Sequence, residues 1–236
     1  MNGFILALAL LSGCSSNNDI RGFWNSKDVI VTESNYREQR ERFADFAVLA
    51  TSGVEKDAKR GLDALFAKLR NDEVSYYVYE EWMEAAFYSI HSPTHSPALF
   101  EHAAARIESD GMMPDQAERI RRLRYYNSLN QAGSHCTLPP GVPAEGPATI
   151  LVVDASCRTC TGALSAVGSA REGRSIAIYF GTPETPSVSG WDYFYCPPAN
   201  GYFDTQAAPF YFVIDAQGIV TQSYSPVSQP KFATPE

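Results

Sequence analysis

Cys157 and Cys160, two thiols three positions apart, are the candidate reactive pair of this sequence. They follow Thr149-Ile150-Leu151-Val152-Val153-Asp154, a β-branched and aliphatic run of strand length, and Ser156 is a small N-capping residue before an expected helix. This order puts Cys157 at a helix N-terminus, where unpaired N–H groups and the positive end of the helix dipole stabilise a thiolate. The thiolate is the attacking species in disulfide exchange, so Cys157 is the candidate nucleophile. One helical turn brings Cys160 back beside it, placed to attack a mixed disulfide and release the partner. Arg158 adds positive charge next to the first sulfur. The same spacing forms half of many zinc sites, and a pair that only staples the chain would look alike. No second Cys-x-x-Cys or Cys/His pair follows at finger spacing. The sequence therefore points to no bound metal and to no organic cofactor.

About fifty residues on, Ala208-Pro209-Phe210-Tyr211-Phe212-Val213-Ile214 leads through Asp215-Ala216-Gln217-Gly218 into Ile219-Val220. This predicts strand, turn, strand, an antiparallel hairpin led in by a proline. With the cysteine stretch, it makes the segment from about Gly133 to Tyr224 resemble the thioredoxin superfamily, in its membrane-associated thiol–disulfide branch. The resemblance implies a cis proline at Pro209, lying against the cysteine pair, with the backbone of Ala208 pairing with substrate. A proline that simply starts an edge strand is the alternative. Three features depart from the family pattern. Ser156 stands where a tryptophan is usual, and Arg158-Thr159 replaces a dipeptide that normally contains proline. Leu151 occupies the place of the buried acid that serves the second cysteine, while Asp154 would point elsewhere. The tail from Ser225, with Pro226, Pro230 and Pro235, cannot form the family's closing helix. Another element must then cover that face of the sheet, and the preceding helices are the expected cover.

The chain has 236 residues and a formal net charge of −8, without a basic tract, which argues against nucleic acid as a partner. Residues 1–14 end an apolar stretch in Leu11-Ser12-Gly13-Cys14, too short to span a bilayer. This resembles a bacterial lipoprotein signal, which implies that Cys14 is lipidated and becomes the N-terminus. No Lys or Arg precedes the apolar core, and Ser15 suits transfer to the outer membrane. An exported compartment permits disulfides, so Cys136 and Cys196 are candidates for a second, structural bridge if both lie near one edge. The other role open to Cys196 is that of a resolving partner.

Residues 15–34 read as a tether and an aromatic lead-in, Phe23-Trp24, expected to dock on the segment C-terminal to it. Residues 35–132 carry helical periodicity, with Phe43, Phe46, Ala47 and Ala50 in one stripe and Leu62, Leu65, Phe66 and Leu69 in another. Breaks are expected at Gly53, Asn71-Asp72, Ser92 to Pro97, and Gly111. Tyr76, Tyr77, Tyr79, Trp82, Phe87 and Tyr88 form an aromatic stripe expected in the core. His91, His95 and His102 have no metal-binding spacing. Arg119, Arg121, Arg122 and Arg124 suggest a solvated face packing on acidic neighbours. Phe23-Trp24-Asn25, Phe87-Tyr88 before Ser92-Pro93, and Tyr126 to Gly133 resemble the helical domain of unknown function that precedes thioredoxin-like modules in lipoproteins of anaerobic Gram-negative bacteria.

Residues 133–225 are expected to be the thioredoxin-like domain, opened by an edge strand at Ser134 to Pro139. A helix is expected over Cys157 to Arg171, a strand over Arg174 to Phe180, and a mostly irregular stretch with one short helix over Thr182 to Ala207. Strand, helix, strand predicts a parallel βαβ unit, and residues 226–236 a polar tail. The expectation is thus an α/β, thioredoxin-like C-terminal domain preceded by an all-α helical domain. The implied activity is thiol–disulfide exchange with protein or small-molecule thiols and disulfides, at a membrane reached through the lipid. The alternative is a redox-inactive scaffold that binds a protein or glycan of the cell envelope.

Overall fold

The computed structural model describes residues 20–111, 116–155, 160–168, 173–181, 188–197 and 201–227. Among these the first part is helical: α1 (Tyr36–Ser52), α2 (Glu55–Leu69), α3 (Glu73–Met83), α4 (Pro97–Asp110) and α5 (Ala117–Ser128). The ends follow local chemistry. Gly53 closes α1, and the Asp72 side chain caps α3 by accepting from the Ser75 N–H. Ser96 caps α4, with Pro97 in its first turn, and Gly111 ends it at φ 62° in the left-handed region. Helix α3 runs directly into a π-helical turn, Glu84–Tyr88, closed by the Ser89 N–H on the Glu84 carbonyl at 3.1 Å. None of the described helices is long and apolar enough to cross a membrane.

Both apolar stripes are buried, and they meet Tyr76, Tyr79, Trp82 and Phe87. Tyr77 faces solvent and Tyr88 is half-buried at the junction with the sheet, so the aromatic run is only partly core. The lead-in docks as expected: a 3-10 turn, Ile20–Gly22, lies against α2, and Trp24 is fully buried. Gly61 permits this approach. A Cβ there would stand 2.7 Å from the Ile20 carbonyl oxygen and 2.8 Å from the Phe46 ring. Alanine improves helix propensity by about 1 kcal/mol, but overpacking costs about 1–3 kcal/mol. Gly61→Ala is therefore expected to lower the melting midpoint, and a raised midpoint in a thermal scan would refute this tight contact.

The second part is a five-stranded sheet in the order β3-β2-β1-β4-β5. Its strands are β1 (Ala148–Asp154), β2 (Arg174–Phe180), β3 (Asp192–Cys196), β4 (Phe210–Ile214) and β5 (Val220–Pro226). Strands β1, β2 and β3 are parallel, and β4 and β5 complete the sheet antiparallel. Between β1 and β2 runs α6 (Cys160–Gly168). Strand alternation sends Leu151 and Val153 toward Ala163, Leu164 and Val167 of α6. It sends Ile150 and Val152 to the other face, with Ile176, Ile178, Phe210 and Phe212.

Three expectations need correction. The stretch Thr182 to Ala207 holds the expected short helical turn, Thr205–Ala207, but is not otherwise without regular structure, because β3 forms the sheet edge next to β2. Asp-Tyr-Phe-Tyr-Cys is short, but its rings pack, Tyr193 and Tyr195 each lying about 6 Å from Tyr179. Ser134 to Pro139 is not a full strand either. It makes one bridge, His135 with Ile219, near the start of β5. The tail expected to be polar begins inside the fold, since Pro226 ends β5 and Val227 is buried on the α6 side. The face opposite α6 is covered by Cys136, Leu138 and Val142 and by Tyr202 and Phe203. The helical part adds Ile90, so it covers this face at one place and the connecting loops do the rest.

Candidate functional site

Strand β1 ends at Asp154, and the Ala155 N–H still bonds the Phe180 carbonyl at 3.0 Å. Helix α6 begins at Cys160. The expected nucleophile Cys157, with Ser156 and Arg158, lies outside the described residues, as does Cys14. The described residues supply the frame around the pair. A strand buried on both faces delivers the chain to the cysteine segment, and a helix receives it at Cys160.

Ala208 and Pro209 lie beside this frame. Antiparallel pairing sets Val152 opposite Phe210 and Leu151 opposite Tyr211. Continuing that register places Pro209 level with Val153 and Ala208 level with Asp154, at the end of β1 that leads into the cysteines. The Ala208–Pro209 peptide bond is cis. Leu151, at the position of the family's acid, is fully buried among α6 side chains. No carboxylate stands at that position.

The approach to Pro209 is held from the helical part. Asp204 caps a 3-10 turn, Thr205–Ala207, by accepting from the Gln206 N–H at 3.0 Å. The Tyr88 hydroxyl, at the end of the π-helical turn, donates to the other Asp204 oxygen at 2.8 Å. Burial and the adjacent carboxylate push the Tyr88 phenol well above its ordinary value, so it remains a donor. Asn130, left-handed at φ 51°, exchanges two hydrogen bonds with Thr137 and reaches the Tyr224 hydroxyl at 3.4 Å. Sequence reasoning alone misses this junction. Its local signals are the Asp-Thr-Gln capping pattern and the unbroken aromatic run ending in Tyr88.

Cys136 and Cys196 are both free, which corrects the suggested second disulfide. Cys196 ends β3 on one edge, while the Cys136 N–H bonds Gly218 in the turn joining β4 to β5. More than three strand spacings of about 4.8 Å separate them, and a disulfide needs Cα atoms within about 7 Å. Burial pushes the Cys136 thiol up to about 12 and the Cys196 thiol up to about 11, so neither is poised as a nucleophile.

The arginine cluster meets acidic neighbours, as the sequence suggests. Arg119 pairs with Glu84 at 2.5 Å and Glu80 at 3.5 Å, Arg121 with Glu108 at 3.9 Å, and Arg124 with Glu101 and Glu108. His102 bonds Asp63 at 3.0 Å. Among the described residues no three His, Cys, Asp or Glu side chains form a metal-holding group.

No family model matches the sequence, and no curated protein matches it. A solved structure does resemble it, that of a thioredoxin-like protein from Bacteroides caccae, with a TM-score of 0.71 and 11% identity. The similarity covers 96% of each chain, so it takes in the helical part as well as the sheet. The fold is therefore α/β and thioredoxin-like, with helices preceding the mixed sheet.

Proposed function

We propose that this chain is a thiol–disulfide oxidoreductase of thioredoxin-like type, held at the cell envelope by a lipid on Cys14. The observation that supports this reading best is positional. Strand β1 ends at Asp154, α6 begins at Cys160, and the register of β4 sets Ala208 and Pro209 level with the end of β1. A partner's extended backbone would pair at Ala208, next to the attacking sulfur.

In the reducing direction, the Cys157 thiolate displaces one sulfur of a partner disulfide. A mixed disulfide forms, and the departing thiolate takes a proton from water. The Cys160 thiolate then attacks the Cys157 sulfur, the mixed disulfide breaks, and the second partner thiol leaves. Two electrons pass to the partner and Cys157–Cys160 becomes the disulfide. Oxidation of a partner dithiol is the reverse. With Leu151 at the acid's position, solvent or the partner carries the proton to and from Cys160.

That same Leu151 favours a second reading, a redox-inactive scaffold binding an envelope protein or glycan. Insulin reduction and refolding of a scrambled disulfide substrate, on protein lacking residues 1–14, separate the two. Turnover that disappears in Cys157→Ser supports the oxidoreductase, and the assay in which it appears gives the direction. Turnover no higher than in the variant, with Cys157 and Cys160 bridged and resistant to mild reductant, leaves the scaffold. Lipidation is checked separately by labelled palmitate, whose incorporation should vanish in Cys14→Ser.

A further inference from the structure

Behind the turn that leads to Pro209 lies a cavity of about 180 Å³ between the helical part and the sheet. An engineered apolar cavity of about 150 Å³ holds benzene, so a chain of six heavy atoms fits here. Exposed His91 and Gln206 stand at its mouth. Its walls are aromatic, with Tyr88, Tyr126, Phe210 and Tyr224 all lining it.

The polar groups in these walls suit a positive charge. Glu84 and Asp204 supply two carboxylates, and among the described lining residues there is no Lys or Arg. Arg119 pairs with Glu84 but does not line the cavity. Burial raises Tyr88, Tyr126, Tyr224 and Glu84, and the Asp204 carboxylate adds to each of these shifts, with Arg119 opposing it at Glu84 and Arg122 at Tyr126. His95 also lines the cavity, and burial lowers its imidazole while backbone hydrogen bonds at Tyr88 and Phe87 act against that shift.

We infer that this cavity is a binding site for an organic ammonium group, either a lysine side chain of a partner or a free alkylamine. Asp204 and Glu84 provide carboxylate acceptors for its N–H donors, and the tyrosine and phenylalanine rings line the space for the cation and its methylene stem. The site stands whether or not Cys157 reacts, since it uses none of the sulfur chemistry.

The test is calorimetric titration of the chain lacking residues 1–14 with n-pentylammonium, with n-pentanol as the uncharged isostere, and with acetyl-Gly-Lys-Gly-amide. Six heavy atoms predict a Kd of about millimolar order for the ammonium, and loss of cation recognition predicts about tenfold weaker binding of the alcohol. Asp204→Asn and Glu84→Gln should each weaken the ammonium several-fold while leaving pentanol binding and far-ultraviolet dichroism unchanged. Tighter binding of the peptide than of the free amine assigns the site to a lysine side chain, and the opposite order assigns it to a small amine. Equal binding of ammonium and alcohol, or no heat with either cation, would overturn the inference.

Discussion

Trp24→Ala is expected to destabilise the protein by about 3–5 kcal/mol, the cost of deleting a large aromatic side chain from a packed core. Trp24 is fully buried although it precedes the first long helix by twelve positions. Its ring stands edge-on to Phe23 at 4.8 Å and to Tyr79 at 6.0 Å, and lies 5.3 Å from Phe46. It thus joins the lead-in, α1 and α3 in one aromatic cluster. Collapse around the cavity is limited because Gly61 already brings the Ile20 backbone against α2. For a chain of this size, each kcal/mol moves the midpoint by about 2–4 °C, so a fall of about 6–20 °C is expected in the helical signal. Tyr77→Ala, at an exposed position on α3, is the control and should change little. A loss below about 1 kcal/mol for Trp24→Ala would show the lead-in to be peripheral.

The second large effect depends on pH. Glu80 is 1% exposed, and both of its carboxylate oxygens are buried without a hydrogen-bond partner. Burial pushes its carboxyl up to about 7 from an ordinary 4.5, with Arg119 opposing and Glu84 and Glu81 adding to the shift. The folded chain therefore keeps a proton that the unfolded chain releases across this window. Stability from the neutral form is complete below about 4.5 and is lost as pH rises through about 7. Glu80→Gln keeps the shape and removes the ionisation. It is expected to stabilise the protein by about 1–3 kcal/mol near pH 8 and to change nothing near pH 4. The upper bound is not reached because Arg119 loses one of its two close carboxylates. Urea unfolding of both proteins at the two pH values measures this, and an equal difference at both would show that charge is not the cause.

Much of the architecture is local in origin. Helix breaks at Gly53, Asp72, Ser96-Pro97 and Gly111 are legible because capping and breaking act within a few residues of chain. Strands β1, β2 and β4 read plainly because aliphatic and aromatic runs of strand length have few other uses. Strand β3 is hidden because five aromatic-rich residues acquire strand character only when an open edge, here that of β2, offers hydrogen bonds. Ser134 to Pro139 misleads in the opposite sense. Its local pattern suits a strand, but it meets only the start of β5.

The candidate site residues and their setting are written in the chain: a Cys-x-x-Cys pair between a strand and a helix, and a proline before a hairpin. They are legible there because strand and helix periodicity, capping and spacing are properties of neighbours along the sequence. Three other facts exist only once the chain is folded. Pro209 stands level with the end of β1, Cys136 and Cys196 belong to different edges, and Tyr88 holds Asp204 across 116 positions of sequence. These depend on sheet order and on the docking of one part against the other, where burial sets the partner of each polar group and no local pattern records it.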